Sequence, residues 1–190
     1  MTKIGKTLVK NVGIMWSRLT RQGLAVTVSW ATDHLVRVIT GAPIRRVSQI
    51  TPHLHVGGQY RRRGWRLLEK RGIAAVVNLR TEFDDKAAGI APDRYLYLPA
   101  IDDTPPTLEQ LGEGVAFIAE EVAQGRGVYI HCGAGVGRAP TMAAAYLVST
   151  GLAPDEAWAR IRSVRPFIRV KPGQIEQIEH FAEAGAASRH

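Results

Sequence analysis

VYIHCGAGVGRAPTMAAAY, residues 128–146, holds the only cysteine of the chain and reads as a strand, a tight turn and a helix. The β-forming run 128–131 leads into Cys132; Gly133, Gly135 and Gly137 then punctuate a turn, and Arg138 opens the helix-prone run from Pro140 to Val148. Glycines let successive backbone N–H groups converge on one point without Cβ interference, and the following helix adds the positive end of its dipole, so the turn is suited to a tetrahedral dianion. A cysteine at the start of such a turn lies in a positive field that favours thiolate, the nucleophilic form. Arg138, six residues on, presents a planar fork able to hold two phosphoryl oxygens. A lone cysteine at a strand end is ordinarily a small buried hydrophobe. The glycine spacing and the arginine decide against that reading.

His131-Cys132, five residues and Arg138 together resemble the signature loop of the cysteine-dependent protein tyrosine and dual-specificity phosphatases, with similar patterning from about residue 47 to 181. The resemblance implies Cys132 as nucleophile, Arg138 and the loop Gly133, Ala134, Gly135, Val136 and Gly137 as phosphate cradle, and His131 as a residue that orients the loop. It implies no cofactor. One position departs: Ala139-Pro140 stands where most members have Ser or Thr, whose hydroxyl assists departure of the sulfur. That Arg-Ala-Pro ending resembles the phosphatases of regenerating liver, and slow turnover is the implied consequence.

Upstream of the loop, Leu54 to Gly58 alternates and ends in glycines, a strand and turn; Gln59 to Arg71 reads as a helix, and Ala74 to Leu79 as a strand buried on both faces. Arg80 follows at the sheet edge where sites of open α/β folds gather, and is expected either at the substrate or in an ion pair with Glu82 or Asp84. Tyr95 to Pro99 is a further strand. It delivers Asp102 and Asp103 to the same edge, on a loop before the capping-box helix that starts at Leu108. Phosphoryl transfer needs a proton for the leaving oxygen, and the family carries its acid on such a loop. Spacing favours Asp102, with Asp103 as alternative. His53 and His55 read as structural, and no metal site is expected. Downstream, helices are expected near Pro154 and Pro172, with Arg165 and Arg169 between them either extending the anion-binding edge or capping helix carbonyls.

The chain has 190 residues and a formal charge of +8. Residues 1–32 hold Lys3, Lys6, Lys10, Arg18 and Arg21 with no acid. Helical apolar spacing from Ile4 to Leu19 predicts a basic amphipathic helix that lies on a membrane, packs on the catalytic domain or serves as a transit peptide. A second helix, from Leu24 to Val38, should end at Gly41; charges interrupt it, so it is not read as a membrane span. With one cysteine no internal disulfide can form, and a reducing, cytoplasmic location is expected. Nucleic acid is not an expected partner, for want of a binding motif.

The reading is therefore an α/β domain with a central, mainly parallel sheet flanked by helices. Residues 1–45 form a basic helical extension, 46–185 the catalytic domain and 186–190 a tail. The expected activity is phosphomonoester hydrolysis through a phosphocysteine, on phosphoproteins, with a membrane surface as a further contact for residues 1–45. Two alternatives stand beside it. A stretch before the long helix, Pro106-Thr107-Leu108, resembles the mitochondrial phosphatidylglycerophosphate phosphatase and suggests a lipid substrate; Ala139 suggests a slow enzyme serving as a phosphate-dependent binding module.

Overall fold

Four strands form one wholly parallel sheet in the order β1-β4-β2-β3. The structure is a computed structural model and describes residues 17 and 19–187; the helix expected from Ile4 lies mostly outside them. The strands are β1 (Leu54–Gly58), β2 (Ile73–Arg80), β3 (Arg94–Ala100) and β4 (Gly127–Cys132). Helices α1 (Leu24–Thr40), α2 (Arg62–Glu69), α3 (Leu108–Ala123), α4 (Arg138–Ser149), α5 (Pro154–Val164) and α6 (Pro172–Ala187) surround them. Because every strand runs the same way, all four C-terminal ends meet on one edge: Gly58, Arg80, Ala100 and Cys132 are neighbours there.

β4 and β2 are central and apolar on both faces, which is why they read as continuous hydrophobic runs. The main core joins Val56, Val77, Leu79, Ile130 and the α4 residues Met142 to Val148 to Leu111, Ile118, Trp158, Ile161 and Ile178. Almost all of α4 is buried, because it crosses the sheet beneath α3, α5 and α6. A smaller cluster of Ala42, Tyr60, Leu68, Ile73, Val76 and Tyr129 fills the other face.

The helix expected over 59–71 is shorter. Tyr60 is buried, Arg61 is extended, and the Arg61 N–H donates to Gly41 O at 2.9 Å, so the chain enters the helix only at Arg62. Gly64 then sits directly on the end of α1: a Cβ there would lie 2.0 Å from Gly41 O, so no larger residue fits this crossing. Gly41 itself ends α1 in the left-handed conformation, as its position after the apolar run predicts.

Candidate active site

The central strand β4 ends on His131 and Cys132, and the loop that follows turns all its carbonyls outward. Gly133 O accepts from the Gln59 N–H (3.1 Å), Ala134 O from Arg165 Nη2 (3.3 Å) and Gly135 O from Arg165 Nε (2.7 Å). Val136 O accepts from the Arg169 N–H (2.7 Å), and Gly137 O from the N–H and hydroxyl of Thr141 (3.1 and 3.0 Å). With each carbonyl engaged on the outside, the N–H groups line the concave side, where the Gly135 N–H reaches Cys132 Sγ at 3.3 Å. Gly135 is required twice over: its φ is +68°, and a Cβ would come within 2.2 Å of the Gly57 backbone.

Arg138, the first residue of α4, is buried and surrounded by acceptors. Nη1 donates to Leu79 O (3.1 Å), Ala100 O (2.8 Å) and Glu82 Oε2 (3.0 Å); Nη2 donates to Glu82 Oε1 (3.0 Å) and pairs with Asp102 Oδ1 (2.9 Å). Its Nε is buried without a partner, so one donor of the fork is left for a further oxygen. Burial works against the guanidinium charge, but the Glu82 hydrogen bonds and the neighbouring Cys132 and Asp102 outweigh it and raise the pKa. Those same Arg138 bonds, with help from Arg80, pull the Glu82 carboxyl down to about 2 against the effect of burial.

Behind the loop, His131 Nε2 meets Asp85 Oδ2 at 2.6 Å, with both side chains wholly buried. Asp85 Oδ1 accepts from Gln59 Nε2 (2.7 Å), Gln59 Oε1 accepts from Arg80 Nη1 (2.7 Å), and Arg80 Nε donates to Glu82 Oε1 (2.9 Å). A polar chain thus runs from His131 through Asp85, Gln59, Arg80 and Glu82 to Arg138. Tyr60 stands edge-on to the His131 ring at 5.4 Å between centroids, and Tyr129 stacks on it. His131 therefore faces the supporting side of the loop. Arg80 makes the expected ion pair with Glu82, which links it to Arg138.

The loop after β3 separates its two aspartates. Asp102 reaches Arg138, while Asp103, in a left-handed conformation with φ of 61°, turns its carboxylate to Lys171 Nζ at 3.3 Å. α6 holds this loop from beneath: Gln174 Nε2 donates to Thr104 O (3.0 Å) and Gln177 Nε2 to Pro106 O (2.9 Å). Gln174 is fully buried and also touches the catalytic loop, since a Cβ on Gly137 would meet its amide at 3.3 Å.

Sequence reasoning missed Glu82 as the partner of Arg138, Asp85 as the partner of His131 and Gln174 as the bridge between loops. Of the two roles open to Arg165, it binds carbonyls, and they belong to the catalytic loop rather than to a helix end. Among the described residues no cluster of His, Cys, Asp and Glu is arranged for a metal. His55 is buried with neither ring nitrogen partnered, and burial, reinforced by Arg45, Arg71 and His53, pushes its pKa down to about 4.

A parallel sheet whose central strand ends on a cysteine, in an N–H-lined loop closed by an arginine, defines the cysteine-dependent phosphatase class. A family model for the DSP-PTPase phosphatases of polymorphic toxin systems matches residues 56–152, just over half the chain, and the chain belongs to that family. It is 31% identical over 124 residues to the human phosphatidylglycerophosphatase and protein-tyrosine phosphatase 1, covering 60% of this chain and 62% of the relative. The rat protein of that name is 32% identical over 134 residues, covering 64% and 68%. The chain thus spans somewhat under two thirds of the human relative's length. Among solved structures, PTPMT1 in complex with PI(5)P superposes with a TM-score of 0.67 at 28% identity, covering 74% of this chain and 97% of that one.

Proposed function

We propose that this protein hydrolyses phosphomonoesters through a phosphocysteine on Cys132, with Asp102 as general acid and then base. The observation that carries the proposal is the cradle itself: five carbonyls fixed outward, an N–H on the sulfur and an orphaned Arg138 Nε beside it. In the first step Sγ bonds to phosphorus and the bond from phosphorus to the leaving oxygen breaks, that oxygen taking the proton of the Asp102 carboxyl. In the second, water attacks phosphorus, the sulfur–phosphorus bond breaks, Asp102 accepts the water proton and thiolate is restored. Arg138 holds the equatorial oxygens in both steps. A phosphoryl group entering the cradle competes with Asp102 for Arg138, which frees the acid for its proton transfer. We place the reaction in a reducing cytoplasmic setting, as the single cysteine suggests.

The substrate class we propose is a phosphoprotein, because no charged side chain inside the loop is added to Arg138 to meet extra phosphates. A lipid phosphate is the second reading. It draws support from the similarity to the human and rat phosphatidylglycerophosphatase and protein-tyrosine phosphatase 1, whose names carry both activities. Acid quench of the enzyme turning over a phosphopeptide or phosphatidylglycerophosphate should trap phosphate on Cys132, read by peptide mass. Cys132→Ser should abolish hydrolysis and keep tungstate binding. Full activity in that variant would refute the nucleophile, and the relative rates on the two substrates decide between the classes.

A further inference from the structure

Helix α1 is docked with its two faces reversed. Its polar side points inward: Asp33 is buried, its Oδ1 accepting from the Ile44 N–H (3.1 Å) and its Oδ2 pairing with Arg165 Nη2 (3.5 Å). From the same side Arg37 Nη1 donates to Gln59 O (3.0 Å) and the Thr40 hydroxyl to Ala42 O (3.0 Å). The apolar side points out: Leu24 is 67% exposed, Val28 54%, Leu35 58%, Val38 39% and Ile39 61%. At 100° per residue these five fall within about 100° of the circumference, one continuous stripe. In a water-facing helix of a folded domain the stripe belongs against the core. Here the core side is met by hydrogen bonds instead, and among the described residues nothing covers the stripe.

Arginines rim the stripe. Arg63 on α2 donates through Nη2 to Val38 O, Arg62 and Arg66 are exposed on the same short helix, and Arg45 and Arg46 follow immediately beyond the end of α1. Residues 1–72 carry fourteen of the Lys and Arg residues but two acids, Asp33 and Glu69, a net charge of +12, while residues 73–190 carry a net −4. Of those two acids Asp33 is buried.

We propose that the outer face of α1 and its arginine rim dock on an anionic lipid bilayer, the stripe entering the acyl boundary and the guanidinium groups meeting headgroup phosphates. The occupant is argued from charge: a second copy would bring two strongly positive regions together, whereas an anionic surface complements both components. No described helix is long and apolar enough to cross a membrane, so the helix lies on the surface. The inward face of α1 meets the catalytic machinery through Arg165, which Asp33 pairs with and which clamps Ala134 O and Gly135 O. Docking therefore holds the phosphate cradle about one helix diameter, roughly 10–12 Å, from the lipid. It does so whichever phosphoester is hydrolysed.

Co-sedimentation of full-length Cys132→Ser protein with phosphatidylcholine vesicles, with and without phosphatidylglycerol, tests the docking separately from turnover. Binding should require phosphatidylglycerol and fall severalfold in high salt. Leu35→Asp with Ile39→Asp should weaken it at least tenfold, and Arg62→Glu with Arg66→Glu severalfold. In the Cys132 parent, those same pairs should leave hydrolysis of a soluble aryl phosphate and the thermal midpoint unchanged. Equal vesicle binding by parent and Leu35/Ile39 variant would overturn the proposal. So would a parent that sediments as a dimer and a variant that sediments as a monomer, which would assign the stripe to a second copy.

Discussion

Glu82 grips Arg138 through two hydrogen bonds, each 3.0 Å, joining a part-exposed carboxylate to a buried guanidinium across 56 residues of sequence. Glu82→Gln keeps the shape and removes the charge. A hydrogen bond to a charged group contributes about 1.5–3 kcal/mol, so kcat/KM should drop about ten- to a hundredfold, read on an aryl phosphate. The carboxyl is depressed to about 2 in the folded protein, so its stabilisation is complete above its ordinary value of 4.5 and disappears as pH falls from there towards 2. The Gln variant should lack that part of the acid denaturation curve.

Asp102 and Asp103 are distinguishable by leaving group. Asp102→Asn should slow alkyl phosphates far more than aryl phosphates with acidic phenols, which depart with little proton assistance. Asp103→Asn should weaken the contact to Lys171 and change both substrates alike. The opposite selectivity would transfer the acid role to Asp103.

Ala139 is fully buried at the start of α4 and offers the sulfur no hydroxyl. If the missing hydrogen bond is worth about 1.5–3 kcal/mol, breakdown of the phosphocysteine is slowed by about ten- to a hundredfold. Rapid quench should show a burst of alcohol close to one equivalent of enzyme. Ala139→Ser should raise the steady-state rate and shrink the burst; the same steady state with no burst in either protein would mean that another step limits turnover.

His55 gives a pH dependence of opposite chemistry and the same sign. Its folded pKa, about 4, lies below the ordinary 6.5, so the unfolded chain binds the proton first as pH falls. Stability from this residue is complete above about 6.5 and is lost between there and 4, by an amount on the order of 3 kcal/mol. Urea midpoints at pH 7 and pH 4.5 should differ less in His55→Leu than in the parent.

Most of the fold could be read from local pattern. β1, β2, β3 and β4 fall within a residue or two of the runs that alternate or stay apolar, and Thr107 caps α3 with Gln110 as the capping box foretells. The catalytic loop was legible because its parts lie within eight residues of one another. Its supports were not. Asp85 meets His131 across 46 residues, Glu82 meets Arg138 across 56 and Asp33 meets Arg165 across 132, and no periodicity links residues at such separations. For α1 the spacing predicts the helix and its end at Gly41, but helical spacing alone cannot say that buried hydrogen bonds on the other side will turn the apolar stripe outward.

Among the described residues, Arg165 has one counter-charge in the interior, and it comes from α1. Beginning the chain at residue 46 would remove Asp33 while keeping every residue of the signature loop. A buried guanidinium deprived of its partner costs about 3–5 kcal/mol, and this one holds two carbonyls of the catalytic turn in place. The shortened protein would thus inherit a complete motif with a slack backbone beneath it, and an inactive truncation would say nothing about whether the nucleophile had been chosen correctly.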